Sequence, residues 1–201
     1  MKEQILLKAT ELFLNQGFKS ITMDDIAQEM SISKKTIYSH YGNKEAIVSA
    51  TTNYLFETIC TGIDLICERQ KNPINELYDI KKYVLEHLKD EQSSPMYQLQ
   101  KYYPKIHSEL RMRQYDYMQN CVVDNIHRGL EQRLFRENIN VAFVARIYFM
   151  GINSIKDREI FPAETFPPPK LHDMYLEYHL RGIVTPEGRN LLNKLIQSNQ
   201  E

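Results

Sequence analysis

Thr22-Met23-Asp24-Asp25-Ile26-Ala27-Gln28-Glu29-Met30-Ser31-Ile32-Ser33-Lys34-Lys35-Thr36-Ile37-Tyr38-Ser39-His40-Tyr41-Gly42-Asn43-Lys44 is the stretch that decides the fold. The Thr22 hydroxyl stands where a helix cap belongs, and the two carboxylates after it suit the positive end of a helix dipole. Ile26, Ala27 and Met30 give that short helix an apolar side. Ser31-Ile32-Ser33 is a three-residue connection, and Ser33 can cap a second short helix through Lys34–His40. Gly42-Asn43 ends that helix and caps the next, which runs from Lys44 to about residue 69. Two short helices joined in this way form a helix-turn-helix.

Upstream, residues 3–16 place Ile5, Leu6, Ala9, Leu12 and Phe13 at helical spacing. Gly17 follows where a left-handed stop residue belongs, and Phe18 sits where the apolar contact of such a stop is expected. The charge of the segment is uneven. Residues 1–50 balance, with lysines 2, 8, 19, 34, 35 and 44 against acids 3, 11, 24, 25, 29 and 45. From Ser31 to Lys44, however, there are three lysines and no acid. Short hydrogen-bonding side chains stand among them: Ser33, Thr36, Tyr38, Ser39, His40 and Tyr41. Phosphate contacts use such groups together with helix N-termini, and the second helix of a helix-turn-helix enters the major groove. The whole chain, with Lys+Arg 25 and Asp+Glu 26, has a net charge of −1. Nucleic-acid binding must therefore come from this local patch.

The pattern Ile5…Ala9…Leu12-Phe13…Gly17-Phe18…Thr22…Asp25-Ile26-Ala27…Ser33…Thr36-Ile37-Tyr38…His40-Tyr41…Lys44-Glu45 resembles the N-terminal domain of TetR-family transcriptional regulators over about residues 3–50. Two positions depart from the family's habit: Met30-Ser31 replaces the usual Ala-Gly, and Tyr41 replaces Phe. A serine at a left-handed turn position costs a fraction of a kcal/mol relative to glycine. The resemblance implies an all-α fold with a three-helix DNA-binding domain at 1–46 and a larger helical ligand-binding and dimerisation domain at 47–201. Carried over by position, it makes Thr22 a phosphate contact and sets Lys34, Lys35 and Thr36, after the Ser33 cap, nearest the base edges. Tyr38, His40 and Lys44 would hold the backbone, while Ile26, Ala27, Ile37 and Tyr41 pack a core with Leu12 and Phe13. Which lysine reads a base and which neutralises phosphate stays open.

The remaining chain also reads as helix. Seven glycines in 201 residues are about half the usual ~7%, which disfavours glycine-rich phosphate loops and turn-rich β architectures. The expected helices run from near Pro73 to about residue 90, then roughly 108–136, 141–155, 171–181 and 186–197. Gln92-Ser93-Ser94-Pro95 is a break, Pro104 interrupts a tyrosine-rich stretch, 157–170 is a linker, Gly182 is a stop and Thr185-Pro186-Glu187 a restart. Cys60, Cys67 and Cys121 are odd in number. The first two lie about 10 Å apart along one helix, too far to bridge, so they read as reduced in a cytoplasmic protein. The chain opens without a signal-peptide core and contains no apolar run of membrane-spanning length. The histidines lack metal-ligand spacing, His172 and His179 reading instead as interface or exposed residues. With no nucleophile elbow or phosphate loop either, no enzyme, cofactor or metal centre is expected.

Five of the thirteen tyrosines fall between 97 and 117. Tyrosine's apolar face and hydroxyl suit a ligand cavity between helices, and equally a core surface with the hydroxyls in water. The candidate pocket is Tyr83, His87, Tyr97, Tyr102, Tyr117, Cys121 and Phe149, a mixture that suits a small, moderately apolar effector. Residues 141–155 are apolar nearly all round, the mark of a helix buried on most sides. Val144, Ile147 and Tyr148 there, and Leu171, Met174, Tyr175 and Tyr178 further on, form stripes expected to meet a second copy as a four-helix homodimer interface. The expected function is a dimeric repressor of operator DNA released by the effector. The alternative is a DNA-binding or protein-interaction role on the same fold without an effector.

Overall fold

The computed structural model describes residues 1–88 and 95–198. The described residues form ten helices: α1 (Lys2–Gln16), α2 (Met23–Glu29), α3 (Lys34–His40), α4 (Lys44–Cys67), α5 (Pro73–Leu88), α6 (Pro95–Tyr102), α7 (Pro104–Glu131), α8 (Val141–Ser154), α9 (Pro168–Ile183) and α10 (Pro186–Ser198). Among them no helix is long and apolar enough to cross a membrane. The chain divides into two compact units. Unit 1 is Met1–Thr61 with His87–Gln114, and unit 2 is Gly62–Glu86 with Tyr115–Glu201.

Unit 1 is built on Ile5, Ala9, Leu12 and Phe13 of α1, whose i, i+4 and i+7 spacing makes one apolar stripe. Ile26 and Ala27 of α2, Ile37 of α3, and Ile47 and Val48 of α4 close on it. Leu99 of α6 and Ile106 and Leu110 of α7 belong to the same core, so this unit extends beyond the first 46 residues. Gly17 ends α1 at φ +87 with its N–H donating to Phe13 O at 2.8 Å, and the Phe18 ring lies 5.1 Å from that of Phe13.

Unit 2 packs Ile74, Leu77 and Tyr78 of α5, Val122 and Ile126 of α7, and the inward sides of α8, α9 and α10. A buried polar knot crosses it. Asn125 Nδ2 spends both hydrogens, on Pro73 O at 3.0 Å and Glu76 Oε1 at 2.8 Å, while the Arg128 guanidinium pairs with the same carboxylate. Removing one partner of such a pair is costly because it strands a buried charge.

Several expectations shift. Pro104 does not merely interrupt the tyrosine-rich stretch; it starts α7, since a proline at the first helical position loses no hydrogen bond. That helix ends at Glu131, and Arg133, at φ +55, turns the chain so that Phe135 bridges Val184. Pro168 and Pro169 begin α9 for the same reason as Pro104, which shortens the linker. Gly182 is not a stop. It lies within α9, which ends at Ile183 when Val184 turns extended to make that bridge. Apart from Pro95, the expected break at 92–95 lies outside the described residues.

Helix α8 is buried within its own subunit on one side only. Val144 and Tyr148 face the core and so does Leu171 of α9, whereas Phe143, Ile147, Met150, Met174 and Tyr178 are exposed. Tyr175 is a strut inside the subunit: its hydroxyl donates to Ile147 O and Tyr148 O at 3.0 Å each, over Gly151, where a Cβ would collide with its ring. His179 is buried too, its ring 4.9 Å from that of Tyr148, and not at a surface or interface as the sequence suggested.

Burial pushes the His179 imidazole down to about 4, so it is neutral in the folded chain. The unfolded chain binds a proton there below about 6.5, which favours unfolding as pH falls. Between pH 6.5 and 4 this group should withdraw roughly 3 kcal/mol of stability, with little further loss below. Denaturant unfolding of wild type and His179→Phe across that window should show a shallower pH slope in the variant.

Candidate nucleic-acid interface

Each short helix of the helix-turn-helix is fixed at its start by a side chain. Thr22 Oγ1 accepts from Asp25 N at 3.2 Å while Asp25 Oδ2 accepts from Thr22 N at 2.7 Å, a reciprocal capping box. The Thr22 hydroxyl also donates to Asp25 Oδ2 at 2.8 Å. The Thr22 backbone and hydroxyl together hold the Asp25 carboxyl below its usual range. Ser33 Oγ accepts from Thr36 N at 3.1 Å at the head of α3, and Asn43 Oδ1 accepts from Ala46 N at 2.8 Å at the head of α4. Between α2 and α3, Ile32 N donates to Ala27 O at 3.0 Å and Ser31 takes φ +53. That is a Schellman stop with serine at the glycine-favoured position.

With these ends pinned, Ile37 alone of the seven α3 residues is buried, and Tyr41 after it is buried as well. Ser33, Lys34, Lys35, Tyr38, Ser39 and His40 are exposed and Thr36 is half-buried. Six of the eight sequence candidates, Ser33, Lys34, Lys35, Thr36, Tyr38 and His40, therefore lie on α3 or at its head without being buried in the core, with Thr22 and Lys44 at the flanking helix starts. Lys35 has no ion-pair partner among the described residues. Lys34 has one: its Nζ lies 2.7 Å from Asp24 Oδ1, both side chains are well exposed, and the hydrogen bond to Asp24 raises the ammonium above its usual range. An exposed pair of this kind contributes little stability and yields readily to a competing anion. Lys44 is half-buried and donates to Lys19 O at 3.0 Å; burial pushes its ammonium down, against the pull of the Asp25 carboxylate.

The pocket candidates divide. Tyr97 and Tyr102 are exposed on unit 1, where the ammonium of Lys101 lies 5.6 Å and 5.7 Å from their respective ring centroids and that of Lys19 4.9 Å from Tyr102. His87 is exposed in the same unit. In unit 2, Tyr117 donates to Asp64 Oδ1 at 2.7 Å and is hydrogen-bonded with Cys121. Burial, with the Asp64 carboxylate, pushes the Tyr117 hydroxyl up, and burial does the same to the Cys121 thiol. Burial and the Glu76 carboxylate push Cys67 up to about 12. Phe149 is buried edge-on to Tyr115 at 5.2 Å, and the Tyr83 ring lies where a Cβ on Gly62 would be. Asp64 and Cys67 had no signal of their own in the sequence beyond their i, i+3 spacing.

Residues 5–51 match the model of the bacterial regulatory proteins of the tetR family. That N-terminal segment is a TetR-family DNA-binding head. Over 56 residues it is 38% identical to the biofilm operon icaADBC HTH-type negative transcriptional regulator IcaR of Staphylococcus epidermidis. That stretch is 28% of this chain and 30% of IcaR, so the similarity spans less than a third of the relative's length. Solved structures agree over far more of the chain. SmeT, the repressor of the Stenotrophomonas maltophilia multidrug efflux pump SmeDEF, superposes with a TM-score of 0.71 at 15% identity, covering 92% of this chain and 91% of SmeT. A SmeT–triclosan complex gives 0.67 at 14%, covering 92% of each. At such identities the likeness is one of fold.

The serine at the turn of this TetR-family head makes a direct test. A non-glycine residue in the left-handed region costs roughly 1–2 kcal/mol, and glycine returns part of that through its freer unfolded chain. Ser31→Gly should therefore stabilise the protein by about 0.5–1 kcal/mol, read as a rise of roughly 1–3 °C in the thermal midpoint.

Proposed function

We propose that this chain is a cytoplasmic, homodimeric transcriptional repressor that binds operator DNA through residues 1–46 and is released from it by a small, moderately apolar ligand held within residues 47–201. The observation that carries the reading is the outward face of α3: a capped helix anchored by Ile37 alone, with Lys34, Lys35 and their hydroxyl neighbours facing solvent. A rod of that kind suits the major groove, with the Ser33 and Asn43 helix starts and Lys44 toward the phosphates. IcaR is a negative transcriptional regulator and SmeT a repressor, which supports the direction of control. The triclosan complex of SmeT supports a small-molecule effector. In this chain the Tyr117, Asp64 and Cys121 cluster with Phe149 and Tyr83 is the proposed ligand region. Helix α4, whose residues divide between the units, is the proposed transmitter, driven by the ligand's preference for one of two states. No catalytic role is proposed.

Binding should weaken steeply with salt, because the lysines displace counterions condensed on the DNA phosphates. Lys35→Ala should lower affinity for the duplex upstream of the protein's own gene and reduce the salt slope by about one unit. Asp24→Asn removes the anion that competes for Lys34, and should raise affinity roughly two- to fivefold near 0.1 M salt. A salt-independent wild type, or an Asp24→Asn variant that binds more weakly, would contradict the assignment.

The dimer surface proposed is the exposed stripe Phe143, Ile147 and Met150 of α8 with Met174 and Tyr178 of α9. Such a patch suits a second copy, and pairing sets two reading heads on half-sites a helical turn apart. Ile147 is 46% and Tyr178 79% exposed, so Ile147→Glu and Tyr178→Glu leave the subunit's own core intact. Sedimentation should find monomers that have lost operator binding; dimers that persist in both variants would move the interface elsewhere.

A further inference from the structure

Lys44 does not hold its place alone. Its ammonium donates to the carbonyl of Lys19 at 3.0 Å, in the turn between α1 and α2. That turn is gripped from the other side by α6. Gln98 Oε1 accepts the Lys19 backbone N–H at 2.9 Å, across 79 residues of sequence. The approach is close enough that a Cβ on Gly17 would collide with the Gln98 side-chain amide. Gly17 suits the site by its φ of +87, and a side chain there would have to push the Gln98 amide aside. The Lys19 ammonium adds a second tie to the same helix, 4.9 Å from the centroid of the Tyr102 ring. Leu99, beside Gln98, is buried among the residues of the head's core, which fixes α6 against the turn.

We propose that Gln98 is a positioning residue for DNA binding: by holding the Lys19 N–H it sets the Lys19 carbonyl, and through that carbonyl the Lys44 ammonium that faces phosphate. The inference rests on the reading of unit 1 as a DNA-binding head. The two bonds use opposite ends of one residue. If Gln98 withdraws, the Lys19 amide has no partner from α6, its carbonyl is free to turn with it, and Lys44 loses the acceptor that orients it. The state of the head with α6 seated is then the one that grips phosphate.

Two substitutions separate the hydrogen bond from mere bulk. Gln98→Met keeps the length and removes the acceptor, whereas Gln98→Glu keeps an oxygen where Oε1 stands. In the full-length protein, amide exchange at Lys19 should quicken roughly tenfold in Gln98→Met and stay slow in Gln98→Glu. Affinity for the duplex upstream of the protein's own gene should fall roughly three- to tenfold in Gln98→Met, with a salt slope shallower by about one unit. Gln98→Glu should bind within about twofold of wild type, and both variants should unfold cooperatively within about 5 °C of the wild-type thermal midpoint. If Gln98→Met binds as wild type does, or both variants weaken alike, the positioning role is overturned while DNA binding stands. A wild type that binds no duplex at any salt, with the Lys19 amide protected, would instead overturn the DNA-binding reading and Gln98's role with it.

Discussion

A seven-residue helix has no business being stable by itself, because the first turn fixes several residues for a single hydrogen bond. Helices α2 and α3 are both seven residues long. What holds them is the closing of Ile26, Ala27, Ile37 and Tyr41 onto the α1 stripe, together with side-chain caps that meet backbone donors helix geometry leaves unpaired. The arrangement has a functional consequence. Ile37 is the one buried residue of α3, so the exposed Lys34, Lys35, Tyr38, Ser39 and His40 are left clear of the core. The same economy explains why Leu99, Ile106 and Leu110, far along the chain, are recruited to that core: three short helices cannot bury enough apolar area alone.

Much of this was legible because its physics is local. The Thr22 and Ser33 caps, the bounds of α3 and the strained Ser31 turn depend on residues within five positions of one another, and the structure has them as the sequence indicates. Gly182 misled because glycine permits a stop without requiring one; the end of α9 is set by the Phe135–Val184 bridge, a contact 49 positions apart in sequence. The tyrosines misled for a related reason. Tyr97 and Tyr102 carry the same side chain as Tyr117, yet they meet lysine ammoniums at the surface while Tyr117 meets the Asp64 carboxylate, and no spacing rule distinguishes these cases. Apolar stripes on α8 and α9 were plain in the sequence. Which flank of each stripe turns inward was not, since Val144 and Ile147 are equally apolar and their helix is apolar nearly all round.

A segment whose lysines and acids cancel, in a chain of net charge −1, attracts duplex DNA only weakly at long range. Attraction must come at short range, and there the acids of α2 are placed differently from one another. Asp25 is taken up by the capping box and stabilises the helix start, whereas Asp24 reaches across the turn to Lys34. A bound phosphate would need to outcompete Asp24 for that ammonium, while Lys35 beside it has no such rival among the described residues. Lys44 is different again, since its hydrogen-bond partner is a neutral carbonyl that orients the ammonium, and the Asp25 carboxylate acts on it through its field alone. Three lysines that look alike in the sequence thus stand in three electrostatic conditions: paired, free, and tethered. On the proposed reading, counterion release would count all three. Discrimination between a matched and a mismatched site would weigh them unequally, because loosely seated DNA would gain little from Lys34 until the fit is close enough to displace Asp24.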